Sequence, residues 1–279
     1  MANWFGDEVL ERSQELGPLC VGIDPHAALL HSWGRGDDIT GLEFFAFRML
    51  EAVAGTAVAI KPQVAFFERF GAAGFHALER LIVEAREANV LIIADAKRGD
   101  IGSTNDGYAD AWLHPASPLA ADALTVSPYL GLGAMSSLIE TAATYNKGLF
   151  VVVASSNPEG RPIQTARVDS GERVEDFLLR SIAERNESSP GTLGHLGAVV
   201  GATRDRSEFS LEEMNGPFLV PGVGAQGATP SDVGRLFERC RKGSVLVNAS
   251  RSISDAGPER RAIADAAQRL RDDLSSALL

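Results

Sequence analysis

Eight short apolar runs punctuate the chain, at residues 19–24, 57–63, 90–97, 123–129, 149–156, 196–203, 218–224 and 244–251. Each is rich in Val, Ile, Leu and Ala and does not alternate cleanly, the pattern of parallel strands covered on both faces. Between most of them the apolar positions switch to a helical period. In segment 71–88, Phe75, Leu78, Leu81, Ile82 and Ala85 share one face, while Glu79, Arg80, Glu84, Arg86 and Glu87 lie elsewhere. Segment 258–274 opens with Pro258 and Glu259, a helix-start signal, and sets Ala262, Ile263, Ala266, Leu270 and Leu274 on one side.

Eight strands with interleaved helices predict an α/β fold, a closed (β/α)8 (TIM) barrel. A doubly wound sheet would show the same periodicity. The barrel is favoured because nearly every run ends in a polar residue, and barrel enzymes build their sites at that C-terminal edge. No Pro/Gly/Ser linker divides the chain, so residues 1–279 read as a single domain. The long stretches 25–40 and 157–172 read as active-site loops on the polar edge. The polar stretch 185–195 reads as a solvated turn on the opposite face.

Composition narrows the partners. The chain has 26 Lys and Arg against 37 Asp and Glu, a formal charge of −11, which argues against a nucleic-acid footprint. No apolar run approaches the roughly 20 residues of a membrane helix. The opening MANWFGDEVLERSQELG lacks the basic and apolar regions of a secretory signal. Cys20 and Cys240 are isolated, which predicts reduced thiols in a cytoplasmic protein. The histidines at 26, 31, 76, 114 and 195 have no metal-ligand spacing, and the role of His26 is open.

The densest chemistry lies in ADAKRGDIGS, residues 94–103. Strand alternation puts Asp95 and Lys97 on one face, the barrel interior at its mouth. Asp100 follows after Gly99, and Lys61, ending the neighbouring strand, is expected to point inward beside Asp95. Buried ion pairs stabilise little compared with apolar replacements, because desolvating each ion costs several kcal/mol. An array of Lys61, Asp95, Lys97 and Asp100 is therefore read as functional. Opposed signs keep the lysines protonated and the aspartates ionised. A fixed ammonium among carboxylates suits proton donation to a developing carbanion.

PGVGAQGAT at 221–229 spells G-x-G-x-x-G at Gly222, Gly224 and Gly227. A dinucleotide fingerprint would follow the first strand of its unit and lead to a carboxylate at the next strand's end, and here the next strand ends in NASR. A phosphate loop after the seventh strand fits better, with Arg251 at the end of the eighth supplying a cationic fork. Ser155 and Ser156 could hydrogen-bond a heterocyclic amide. Ser127 and Pro128 are at least as well explained by a turn.

DAKRGDIGST, with Gly-Ile-Asp-Pro at 22–25 and Ala-Ser-Ser-Asn-Pro-Glu-Gly at 154–160, resembles the orotidine 5′-phosphate decarboxylase family in its long-chain, type 2 form. The resemblance runs through all eight strand ends. It implies decarboxylation of orotidine 5′-monophosphate to UMP and CO2 in pyrimidine biosynthesis, without metal or cofactor, by a homodimer with shared active sites. It also implies that Lys97 protonates C6, that Asp95 lies against the substrate carboxylate, and that Asp24 and Lys61 hold the ribose hydroxyls. Asp100 and Thr104 would reach into the partner's site. Gln226 and Arg251 would take the 5′-phosphate, and Ser156, in preference to Ser155, the base.

Two other readings compete. A related sugar-phosphate decarboxylase or aldolase would use magnesium and add a carboxylate at a neighbouring strand end, where this chain has Lys61. A catalytically silent nucleotide-phosphate binder would have lost members of the charged array, and all are present.

Overall fold

The computed structural model describes residues 4–224 and 226–279. Eight parallel strands close on themselves in sequence order: β1 (Leu19–Ile23), β2 (Ala59–Pro62), β3 (Leu91–Arg98), β4 (Ala123–Val126), β5 (Gly148–Ala154), β6 (Leu196–Val200), β7 (Phe218–Pro221) and β8 (Val245–Ala249). Pairing of β8 back onto β1 leaves no edge strand, which decides for the barrel over the doubly wound sheet. The strands match the expected runs, and most end sooner because the polar C-terminal residues leave the ladder to form the rim.

The helices are α1 (Phe5–Leu16), α2 (Ala27–Ser32), α3 (Ile39–Val53), α4 (Val64–Glu68), α5 (Gly71–Glu87), α6 (Ser103–Trp112), α7 (Ser136–Thr144), α8 (Arg161–Gln164), α9 (Val174–Asn186), α10 (Pro230–Leu236), α11 (Arg251–Ser254) and α12 (Arg260–Leu278). The periodicity over 71–88 is realised as α5, with Leu78, Leu81, Ile82 and Ala85 buried. The helix expected from Pro258 begins at Arg260, with Glu259 at its N-cap. The stretches 25–40 and 157–172 are not bare loops, since they carry α2 and α8. None of the described helices is long and apolar enough to cross a membrane.

Two apolar layers organise the molecule. One lies between strands and helices; the other fills the barrel with Cys20, Ala59, Leu91, Ile93, Ala123, Phe150, Val199, Leu219 and Leu246. Helix α1 plugs the N-terminal end of the barrel, where Phe5 meets Phe150 edge-on at 6.1 Å. One alternation step above this filling, the same inward face turns polar. Lys61 stands two residues after Ala59, Asp95 after Ile93, Thr125 after Ala123 and Asn248 after Leu246.

The stretch 185–195 is the expected exposed turn over 187–192 but differs at its end. Leu193, Gly194 and His195 are buried, and the Leu193 N–H donates to Asp7 Oδ1 at 3.0 Å, because α1 packs over that end of the barrel. Burial pushes the Cys20 thiol up to about 12, so it is an inert filler of the barrel. Cys240 is free and partly buried.

Candidate active site

A cavity of about 350 Å³ opens at the C-terminal mouth of the barrel. Asp24, Lys61, Asp95, Lys97, Ser155, Ser156, Gly222, Gln226 and Arg251 all line it, so residues from six strand ends converge on one space. A larger hollow of about 640 Å³ lies beyond Gln226 and Gly227, between Arg204 and Arg235, and holds none of the charged array.

Asp95 is the centre of the array. Its Oδ2 accepts from Lys61 Nζ at 2.6 Å and its Oδ1 from Lys97 Nζ at 2.6 Å. Thr125 Oγ1 donates to Oδ1 at 3.0 Å, and Gln63 Nε2 to Oδ2 at 3.3 Å. Burial by itself would raise the Asp95 pKa, but Lys61 and then Lys97 outweigh it and hold the carboxyl well below the usual range. Lys61 is buried too; Asp95 and then Asp24 overcome that desolvation and hold its ammonium above the usual lysine range. The two lysines differ in access. The Lys61 side chain is 5% exposed and the Lys97 side chain 51%, so Lys97 is the more accessible of the two ammonium groups lining the cavity.

Strand β3 does not run straight through this cluster. Its register against β4 shifts between Ala94 and Arg98, and Lys97 takes φ +48°, a left-handed conformation uncommon outside glycine. The Lys97 N–H donates to Thr125 Oγ1 at 3.0 Å, so Thr125 supports both the backbone of one charged residue and the carboxylate of the other.

Across the cavity, Gly222, Gly224 and Gly227 all have positive φ, which explains why the loop needs glycine at these points. Their N–H groups are not equivalent. Gly224 donates to the Ala228 carbonyl and Gly227 to the Gly224 carbonyl, both at 2.9 Å, whereas the Gly222 N–H makes no hydrogen bond among the described residues. Gly222 lines the cavity with Gln226 and Arg251; Gly224 and Gly227 shape the loop from behind.

The two serines also separate. Ser155 Oγ accepts from Gln164 Nε2 at 2.8 Å and donates to Asn157 Oδ1 at 2.6 Å, which ties it into the 157–172 segment. Ser156 has no such partner among the described residues and faces the cavity. Asp100 and Thr104 do not join this chain's cavity. Asp100 caps its own turn through the Ile101 N–H at 2.8 Å, and Thr104 is exposed on α6. His26 caps α2 by accepting the Leu29 N–H at 3.2 Å, a structural role.

Several lining residues went unread in the sequence: Gln63, Thr125, Asn248 and Ser250. The i, i+2 step from Ala123 could have found Thr125, and that from Leu246 Asn248. Ser250 is the next step of the same alternation, within the expected run 244–251. Its Oγ and Asp24 Oδ1 are buried polar atoms of the cavity wall without a partner, so they are available to a ligand.

Residues 17–266 match the family described as Orotidine 5'-phosphate decarboxylase / HUMPS family. A Nocardioides sp. protein named orotidine 5'-phosphate decarboxylase is 51% identical over 89% of this chain and 91% of its own length. One of that name from Streptomyces coelicolor is 46% identical over 98% of both. A Streptomyces avermitilis crystal structure described by the same name superposes with a TM-score of 0.95 at 46% identity, over 99% of this chain and 96% of that one. A Toxoplasma gondii structure described as an orotidine-monophosphate-decarboxylase gives 0.79 at 32% identity, over 98% and 97%. A match of this extent, on a barrel whose rim carries the Asp95–Lys97 pair, shows that the chain belongs to the orotidine 5'-phosphate decarboxylase family.

Proposed function

We propose that the chain decarboxylates orotidine 5′-monophosphate to UMP and CO2, a step of pyrimidine biosynthesis, with Lys97 as proton donor. The observation that carries this reading is Asp95 clamped between two ammonium groups, of which Lys97 is far the more accessible. The names of the relatives supply the substrate; the array supplies the chemistry.

The C6–carboxylate bond breaks and its electron pair stays on C6 as CO2 leaves. The Lys97 ammonium, fixed beforehand at that point, stabilises the developing charge and then transfers a proton to C6. Asp95 remains ionised throughout, which fixes Lys97 and sets a negative charge against the substrate carboxylate. The positive charge needed at C6 comes from the ammonium, so the reading includes no metal and no cofactor.

The remaining lining residues fit the rest of the nucleotide. Arg251, Gln226 and the free Gly222 N–H suit a 5′-phosphate, the last at a loop of glycines. Asp24 and Lys61, with Ser250 beside Asp24, suit the ribose hydroxyls, and Ser156 suits the base. Asp100 and Thr104 serve a second copy of the chain in a homodimer with shared sites. In support, both lie away from their own cavity, and Ile101, Tyr129 and Leu130 put large apolar side chains on the surface of the same rim. The two free thiols suit the cytoplasm.

The test is the absorbance of orotidylate in the presence of the protein, with and without EDTA. The reading expects orotidylate to be consumed at the same rate in both. Tight UMP binding without turnover would make the chain a silent binder, and loss of activity in EDTA would make it a magnesium enzyme.

A further inference from the structure

We infer that Arg98 is the positioning residue for the Lys97 ammonium, a role that rests on the reading of Lys97 as proton donor. Arg98 follows Lys97 directly but does not line the cavity. Its guanidinium instead turns back along the strand, where Nη1 donates to the Ala96 carbonyl at 3.1 Å. Nη2 pairs with the Glu68 carboxylate at the end of α4. The guanidinium also lies 5.8 Å from the Tyr108 ring centroid and 5.7 Å from that of Trp112, both on α6.

This arrangement answers a specific need. A non-glycine residue at φ +48° persists only where its surroundings over-determine it. Lys97 is bracketed on both sides. The Arg98 fork holds the Ala96 carbonyl before it, the Ser127 N–H donates to the Arg98 carbonyl after it at 2.9 Å, and Thr125 Oγ1 accepts its own N–H. Of these contacts, the fork is the one that reaches two helices, α4 and α6. It thereby fixes the irregular turn of β3 against the barrel wall and sets where the Lys97 stem leaves the backbone. A lysine at 98 would bring a single point charge in place of a planar fork, so it could not hold Glu68 and the Ala96 carbonyl in the same way.

The full chain carrying Arg98→Met, Arg98→Lys or Glu68→Gln tests this, with kcat, KM for orotidylate and the Kd of UMP measured on each. Displacing a reacting group by about 1 Å costs about 100-fold, so Arg98→Met is expected to lower kcat by roughly 10- to 100-fold while UMP affinity stays within about threefold. Arg98→Lys and Glu68→Gln should fall between it and the parent. In hydrogen exchange, the Lys97 amide of Arg98→Met should open about tenfold faster or more. A folded Arg98→Met with kcat within twofold of the parent overturns the inference, and so does an equal loss of kcat and UMP affinity, which would mean general collapse of the barrel mouth. If Arg98→Met does not fold, Glu68→Gln decides by the same criteria. If the parent itself leaves orotidylate unchanged, the functional reading fails, and the Lys97 amide still decides whether Arg98 holds that turn.

Discussion

Asp95 and Lys97 are two residues apart on β3, and their carboxylate and ammonium meet at 2.6 Å. A regular strand would carry both side chains up in parallel, with Cα atoms roughly 6.6 Å apart. The register shift after Ala94 and the left-handed turn at Lys97 break that regularity and let the ammonium fold onto the carboxylate. Asp95 then serves Lys61 with its other oxygen, so one buried carboxylate orders two cations. The chemistry proposed for the site depends on that order.

Removing the carboxylate should therefore be felt in stability as well as in rate. Asp95→Asn leaves Lys61 buried beside a neutral amide, and breaking a buried pair in this way costs about 3–5 kcal/mol. Urea unfolding at pH 7 checks this. The pH dependence follows from the two shifts. The folded Asp95 carboxyl titrates below its unfolded value near 3.9, so its contribution is full above about pH 4 and is lost as pH falls through the folded pKa. The folded Lys61 ammonium titrates above its unfolded value near 10.4, so its contribution is full below about pH 10 and is lost only at higher pH. The stability gap between parent and Asp95→Asn should narrow as pH falls below about 4 towards 2.

Arg251, just past the end of β8, lines the same cavity as this array. Loss of a charge-assisted contact to phosphate is worth about 1.5–3 kcal/mol, so Arg251→Ala should raise KM for orotidylate by roughly 10- to 100-fold. Steady-state kinetics against substrate concentration checks it, and an unchanged KM would remove Arg251 from the phosphate site.

Gly201, just past β6, backs Ser156. A Cβ there would lie 2.9 Å from Ser156 N and 3.0 Å from its Cα, in backbone that cannot swing aside. Gly201→Ala is expected to push Ser156 into the cavity, with an overpacking cost of about 1–3 kcal/mol. UMP affinity should fall while that for ribose 5-phosphate, which lacks the base, stays the same. Equal loss for both would place the damage elsewhere.

The barrel was legible in the sequence because strands covered on both faces have no polar positions until they reach the rim. Lys61, Asp95 and Lys97 stood out for the same reason. What the sequence hid was local geometry: the irregular turn that brings Lys97 onto Asp95, the loop hydrogen bonds that occupy the Gly224 and Gly227 amides, and the tie between Ser155 and Gln164. These depend on contacts between segments far apart in the chain or on backbone angles, and neither leaves a periodic trace. Thr125 was within reach of strand alternation. The polarity of 185–195 correctly marks a solvated turn over 187–192, but the burial of 193–195 under α1 leaves no trace in it.

Asp100 and Thr104 lead to a prediction about assembly. If they complete the site of a second copy, Asp100→Ala and Lys97→Ala homodimers are each inactive, and mixing with subunit exchange regenerates one intact site in each heterodimer. Recovery of about a quarter of the parental activity is expected from random pairing. No recovery despite demonstrated exchange would confine each site to its own chain.

The central claim is that the accessible ammonium of Lys97 stabilises and protonates the carbanion. Its side chain is half exposed, so Lys97→Ala should keep the fold and its unfolding midpoint near the parent's. Combined loss of proton transfer and of charge stabilisation predicts a fall in kcat of about 10⁴-fold or more on orotidylate. Turnover by folded Lys97→Ala within tenfold of the parent would contradict the account.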